Sequence, residues 1–157
     1  MSESITKIST EQIQKLIDEA LRARSFSYSP YSGYQVGAAL LTKDGKIFRG
    51  CNIENAAYGP SNCAERTAFF KAVSEGAREF SAIAIVGGKP QTDSLPEGDY
   101  ETSTSDMAWP CGVCRQVMRE FCDPESFLVI TAKSCEDYAC KTLGELMPES
   151  FGPDNLK

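Results

Sequence analysis

Cys63, Glu65, Cys111 and Cys114 are the residues whose types and spacing suit joint chemistry. Cys111 and Cys114 stand three apart in what reads as the first turn of a helix, so both sulfurs face one side of its end. Cys63 stands in the first turn of another predicted helix, with Glu65 two positions on. Helix N-termini carry partial positive charge and unpaired N–H groups. Both favour thiolate, the form of cysteine that binds metal. Three thiolates leave the fourth tetrahedral position of zinc open, and an open position marks a catalytic site. Zinc so held lowers the pKa of a bound water, although three thiolates donate charge that weakens the effect. Arg66, beside Glu65, is the residue placed to offset that charge.

The 157 residues include seven cysteines and no histidine. Ser-His and Cys-His mechanisms are therefore excluded, and a soft metal site must be built from thiolates. Each signal has a plainer meaning when taken alone. Cys63 could be core packing. Cys111 and Cys114 could form a redox pair. Glu65 could close a capping box that starts at Asn62. Cys51, Cys122, Cys135 and Cys140 are expected to be packing residues.

The net charge is −6 and the isoelectric point is near 4.8. No cluster of Lys and Arg marks a polynucleotide surface, so long nucleic acid is not an expected partner. No stretch has the length and apolarity of a membrane span. Met1 to Thr10 is polar and carries no signal-peptide core. The cysteine usage and these absences make the cytoplasm the expected location.

The elements that must position the four residues follow from periodicity and punctuation. Residues 9–24 repeat apolar side chains at helical spacing (Ile13, Leu16, Ile17, Ala20, Leu21), with Ser9 and Gln12 as a capping box. Val36–Thr42 and Lys46–Ile53 read as strands around Asp44-Gly45, a two-residue hairpin signal. Ala38–Leu41 is continuously apolar and is expected to be buried on both faces. Pro60-Ser61-Asn62 caps a helix over about 62–75, which Gly76 stops. Ala82–Val86 is a strand. Pro110 opens a helix running to about Cys122, with Val113, Val117 and Phe121 on one face. Phe127–Ala132 and Tyr138–Thr142 are strands, and Leu143–Met147 is a short helix. The order favours parallel strands in mid-sheet. The link between the last two strands is too short for a parallel crossover, so the last should run antiparallel. Gly87–Ala108 is rich in Gly, Pro, Ser, Thr, Asp and Glu and reads as a long surface loop. One domain is expected over residues 1–157.

Jointly, Cys63-Ala64-Glu65 and Pro110-Cys111-Gly112-Val113-Cys114 match the signature of zinc nucleobase deaminases in its cysteine form. Ser29-Pro30-Tyr31-Ser32, Val36-Gly37-Ala38-Ala39, Gly50–Ala56, Cys63–Ala68, Pro110–Gln116 and Ser150–Pro153 extend the match. On these stretches, from about residue 10 to 154, the sequence resembles the small homotetrameric cytidine deaminases.

The resemblance implies an α/β, three-layer α-β-α fold around a mixed five-stranded sheet. It implies Zn2+ on Cys63, Cys111 and Cys114. It also implies hydrolytic deamination of free cytidine and deoxycytidine, through a zinc-activated water with Glu65 as proton shuttle. Asn52 and Glu54 resemble the pair that grips the ribose 3′-hydroxyl. Tyr34 stands where the family often has Phe, near the base, and backbone groups of Ala64 and Pro110 touch the base. Ala56, Tyr58 and Phe151 resemble residues shared across subunit boundaries of a homotetramer. Two features depart from the family. Trp109 stands where a small polar residue is more usual, and the 87–108 loop is long.

Three other functions fit part of the pattern. One is deamination of another cytosine-bearing small molecule, such as blasticidin S. Another is a non-catalytic, zinc-stabilised binding module, against which the three-ligand site argues. The third is a dithiol redox protein, which would work without metal. Polynucleotide editing is disfavoured, because a 3′-phosphate would meet the anionic Glu54.

Overall fold

The computed structural model describes residues 8–157. The expected polar start, Met1–Thr10, therefore lies mostly outside the described residues. Its element order is α1 (Thr10–Arg24), β1 (Gln35–Thr42), β2 (Ile47–Cys51), α2 (Ala64–Ser74), β3 (Phe80–Gly88), α3 (Gly112–Phe121), β4 (Leu128–Ala132), β5 (Tyr138–Thr142), α4 (Leu143–Leu146) and a final 3-10 turn, Pro153–Leu156. Sequence periodicity missed only that final turn, which is shorter than the periods it reads.

The five strands form one mixed sheet in the order β2-β1-β3-β4-β5. Among the described strands only β3 and β4 pair in parallel. β1 runs antiparallel to both β2 and β3, so it lies between the strands that α2 connects. β5 pairs antiparallel with β4, as the short connection requires.

Alternation along the strands feeds two cores. Ala39 and Leu41 of β1, with Ala82, Ala84 and Val86 of β3, pack under Leu16, Ile17, Ala20 and Leu21 of α1. Ala38, Leu40, Ile83 and Ile85 point the other way, toward Ala64, Ala68 and Phe69 of α2 and Cys114 and Met118 of α3. Helices thus cover both faces of the sheet, and Ala38–Leu41 is buried on both faces as its composition indicates.

Three local expectations change. Thr42 N–H donates to the Lys46 carbonyl at 2.9 Å, so Lys43, Asp44 and Gly45 form a three-residue turn. Gly45 supplies its positive φ of 90°. On α3 the buried line is Cys114 and Met118, and Val113 is exposed. Cys122 is core, but Cys140 is exposed on β5, and Cys51 and Cys135 are half-buried. None of the seven thiols is in a disulfide. Among the described residues no helix is long and apolar enough to cross a membrane.

Candidate active site

The site is built where two helix starts meet the open end of the sheet. Cys63 is the N-cap of α2, with an extended backbone and no side-chain cap hydrogen bond. Cys111 is the N-cap of α3, again without a side-chain cap bond. Both side chains are therefore released from capping. Cys63 rather than Asn62 is the cap, which removes the capping-box account of Glu65. Asn62 instead donates from Nδ2 to the Thr67 hydroxyl at 3.2 Å.

Gly50 sets the seat of α2. A Cβ there would stand 2.3 Å from the Ala64 carbonyl oxygen and 2.4 Å from the Ala68 nitrogen. Only glycine allows the first turn of α2, which carries Glu65, to lie this close to β2. Ile53 then exchanges backbone hydrogen bonds with Asn62, at 3.0 and 2.9 Å. That exchange draws Asn52 and Glu54 toward Cys63.

The sulfurs of Cys63, Cys111 and Cys114 all lie within 4.8 Å of one another. Those of Cys63 and Cys111 are 3.8 Å apart. Sulfurs held about 2.3 Å from a tetrahedral zinc stand about 3.8 Å from each other. The cluster therefore fits zinc in donor type, number and spacing. Arg66 Nη2 donates to the Cys63 sulfur at 3.3 Å. Hydrogen bonding from Cys114, then Arg66, holds the Cys63 thiol down at about 5. Its partner Cys114 keeps its proton, pushed up chiefly by the Cys63 sulfur and then by burial. Arg66 is held more firmly charged, first by its bond to Cys63.

Glu65 is 4% exposed, and burial pushes its carboxyl up to about 7. It opens onto a cavity of about 520 Å³ that also receives Cys63, Cys111 and Arg66. Cys114 lies deeper, fully buried. A larger cleft of about 780 Å³ lies around the β1–β2 turn and the end of α2. It contains none of the four residues.

Residues 10–131 match the family described as "Cytidine and deoxycytidylate deaminase zinc-binding region". The chain belongs to that deaminase family. It is 46% identical over 144 residues to a cytidine deaminase of Sporosarcina psychrophila, spanning 92% of this chain and 94% of the relative. It is 47% identical over 143 residues to one from Halalkalibacterium halodurans, spanning 91% and 96%. Its fold matches the crystal structure of a cytidine deaminase from Burkholderia pseudomallei with a TM-score of 0.73. That match is 45% identical and spans 87% of this chain and 97% of that one.

Within this deaminase chain, the cavity also gathers Tyr34, Asn52, Glu54 and Ala64. Asn52 accepts at Oδ1 from Ser27 Oγ at 2.5 Å and from Val36 N–H at 2.9 Å. Its Nδ2 donates to the Tyr34 carbonyl at 2.8 Å. Glu54 Oε1 accepts the Tyr31 and Ser32 N–H groups at 3.2 and 3.1 Å. Chiefly the Ser32 N–H holds this carboxyl below its ordinary range. Burial, then the neighbouring Asp106 carboxylate, raises the Tyr34 phenol, so Asp106 is the neighbour that its extra hydroxyl meets.

Ala56, Tyr58, Pro110 and Phe151 do not line this cavity. Ala56, Tyr58 and Phe151 are exposed. Phe151 is tied at its carbonyl by Gln116 Nε2 at 3.0 Å. Pro110 is buried, and its carbonyl accepts from Arg115 Nε at 2.8 Å. Met107 and Ala108 line the wall without having been expected there, and Trp109, singled out as a departure beside Pro110, joins them. The unusual Trp109 was their one signal, since the loop before it carries no periodicity.

Proposed function

We propose that this chain hydrolyses the exocyclic C–N bond of free cytidine and deoxycytidine, yielding uridine or deoxyuridine and ammonia. The observation that carries the proposal is the buried Glu65 carboxyl opening onto the same cavity as Cys63 and Cys111 of the three-sulfur cluster. Relatives named cytidine deaminase, similar over nearly the whole chain, support the substrate class. Cys63, Cys111 and Cys114 would hold Zn2+, which when bound would supply Lewis acidity and an open position for water.

Glu65 moves the protons. It takes one from the attacking water and gives it to N3 of the pyrimidine as the C4–O bond forms. It then carries a proton from the new hydroxyl to the amino nitrogen, and the C4–N bond breaks to release ammonia. A carboxyl held near 7 suits a group that must both accept and donate near neutrality. Its depth excludes bulk water from the transfer.

The rest of the cavity orients the nucleoside. Glu54 keeps Oε2 for a ribose hydroxyl, since Oε1 holds two backbone N–H groups. Asn52 retains one amide hydrogen for the sugar after its bond to Tyr34. Tyr34 presents its ring to the base and backbone groups of Ala64 contact it, whereas Pro110, outside the cavity with its carbonyl on Arg115, is not given that contact. Arg66 balances the thiolate charge. Tyr58, 73% exposed, and Phe151, 58% exposed, are large rings that water does not favour. This supports association between copies, and the family resemblance implies a homotetramer in which Ala56, Tyr58 and Phe151 complete a neighbour's site.

The test is uridine formation from cytidine, followed by absorbance on zinc-loaded protein of measured metal content. About one zinc per chain with turnover is expected. A zinc-loaded protein that leaves cytidine unchanged would sink the proposal.

A further inference from the structure

The loop that ends at Trp109 is fastened at both ends, and the fastening bears on the cavity. Arg24, 2% exposed, closes α1. Its guanidinium donates to the carbonyls of Gln35 at 3.1 Å, Gly88 at 2.8 Å and Lys89 at 3.1 Å. It also pairs with Glu101 Oε2 at 2.7 Å. Glu101 Oε1 accepts the N–H groups of Gln91 at 2.6 Å and Thr92 at 2.9 Å. One buried ion pair thus closes residues 89–101 into a fixed ring. Tyr100, bonded to Asp18 at 2.6 Å, ties the same segment to α1.

Past Glu101 the chain is guided straight to the site. Thr104 N–H donates to the Lys133 carbonyl at 2.8 Å. Asp106 bridges to Gly87, and Thr131 Oγ1 donates to the Ala108 carbonyl at 3.2 Å. A Cβ on Gly87 would stand 2.7 Å from the Ala108 Cβ and 3.1 Å from the Tyr34 ring. The wall is therefore packed against the sheet end with no slack. Trp109, 39% exposed, completes it two residues before Cys111.

We propose that Trp109 determines specificity by limiting substituents on the C5 edge of the cytosine ring, with Arg24 and Glu101 as its positioning residues. The inference rests on the nucleoside-deaminase function proposed above. Glu65 must reach N3 and the amino nitrogen, so the N3 edge faces α2. The edge left over, C5, faces the wall that Trp109 completes. A broad indole leaves less room there than a small side chain, and a fixed wall cannot retreat from an added methyl.

The experiment compares kcat/KM for cytidine and 5-methylcytidine in wild type, Trp109→Ser, Trp109→Phe and Glu101→Gln. Trp109→Ser should raise the 5-methylcytidine to cytidine ratio roughly tenfold or more, the discrimination that one methyl group supports in a tight pocket. Trp109→Phe should raise it less. Glu101→Gln should raise the ratio as well, because a loosened wall admits the methyl. A purely structural role for Glu101 would lower both substrates alike. Cytidine turnover with an unchanged or lower ratio in Trp109→Ser overturns the specificity role alone. A Glu101→Gln ratio equal to wild type overturns the positioning role. No cytidine turnover by the zinc-loaded wild type overturns the underlying function and this inference together.

Discussion

Arg66 Nη2 donates to the Cys63 sulfur at 3.3 Å, while its own Nε is buried with no partner among the described residues. Arg66 thereby sets a permanent cation against the sulfur of the cluster whose thiol is held lowest. With a dication bound, three thiolates would leave a net negative centre, which would resist ionisation of a nearby water. One guanidinium against one sulfur reduces that excess.

Replacing Arg66 by Gln should therefore lower turnover or zinc affinity by roughly 10- to 100-fold, the usual effect of removing such a supporting partner. Titrating zinc against a chelator alongside steady-state kinetics reads both. Wild-type values for both would show that the sulfur charge needs no counter-ion.

Glu65→Gln keeps size and polarity and removes the proton carrier. General acid–base catalysis contributes about 10²- to 10⁴-fold, so kcat should fall by at least that range while zinc content stays at wild-type level. Turnover within a few-fold of wild type would remove Glu65 from the mechanism.

The same residue has a pH signature in the metal-free protein. Its carboxyl is raised from an ordinary 4.5 to about 7 by burial. The folded chain then holds that proton more tightly than the unfolded chain between those values. Its stabilising effect is full below 4.5 and is lost as pH rises through 7. The shift corresponds to roughly 3 kcal/mol once Glu65 is ionised. Glu65→Gln removes this slope, so its gain in melting temperature over wild type should be larger at pH 8 than at pH 5. A gain independent of pH would mean that the carboxyl is not held high.

Much of this site is legible in the sequence, because its chemistry sits on local signals. Cys63-Ala64-Glu65 and Cys111–Cys114 each lie at a helix start that Pro60 or Pro110 announces. The capping box of Ser9 and Gln12 is present as expected. What escapes is what depends on distant partners. Helical spacing alone offers Val113 as a core residue, yet α3 turns Cys114 and Met118 inward because α2 and β3 occupy that side. Trp109 stands out by composition, but its place in the wall depends on bonds that the preceding loop makes to Gly87, Thr131 and Lys133, far from it in sequence. Composition marks 87–108 as loop. Gly87 and Gly88 nevertheless extend β3, since β1 offers them partners at Val36 and Gln35.

Asn52 and Glu54 should separate on substitution. Asn52→Ala strips partners from the Val36 N–H and the Tyr34 carbonyl, each worth about 1–3 kcal/mol when left unpaired and buried. The variant should melt lower and bind cytidine more weakly. Glu54→Ala frees only the exposed Tyr31 and Ser32 amides. It should raise KM with little change in melting temperature. Wild-type stability in Asn52→Ala would contradict the structural half of this assignment.

Assembly supplies the last test. Phe151 lies outside its own chain's cavity and is 58% exposed. Gln116 nonetheless fixes its backbone to α3, the helix that Cys111 caps and that carries Cys114. Arg119 Nε, on the same helix, donates to the Ser150 hydroxyl at 3.0 Å. The ring is thus tied to its own chain yet unburied, and the proposal that sites are shared assigns it to another copy's cavity. Sedimentation should give a tetramer, and Phe151→Ala should raise KM more than it lowers kcat. The decisive measurement mixes Phe151→Ala with Glu65→Gln after dissociation and reassembly. If sites are shared, hybrid tetramers contain some pockets with an intact Glu65 and an intact neighbouring Phe151. Their low-substrate activity should then exceed the sum of the separate variants. Strict additivity, or full activity in a monomer, would show that each chain completes its own site.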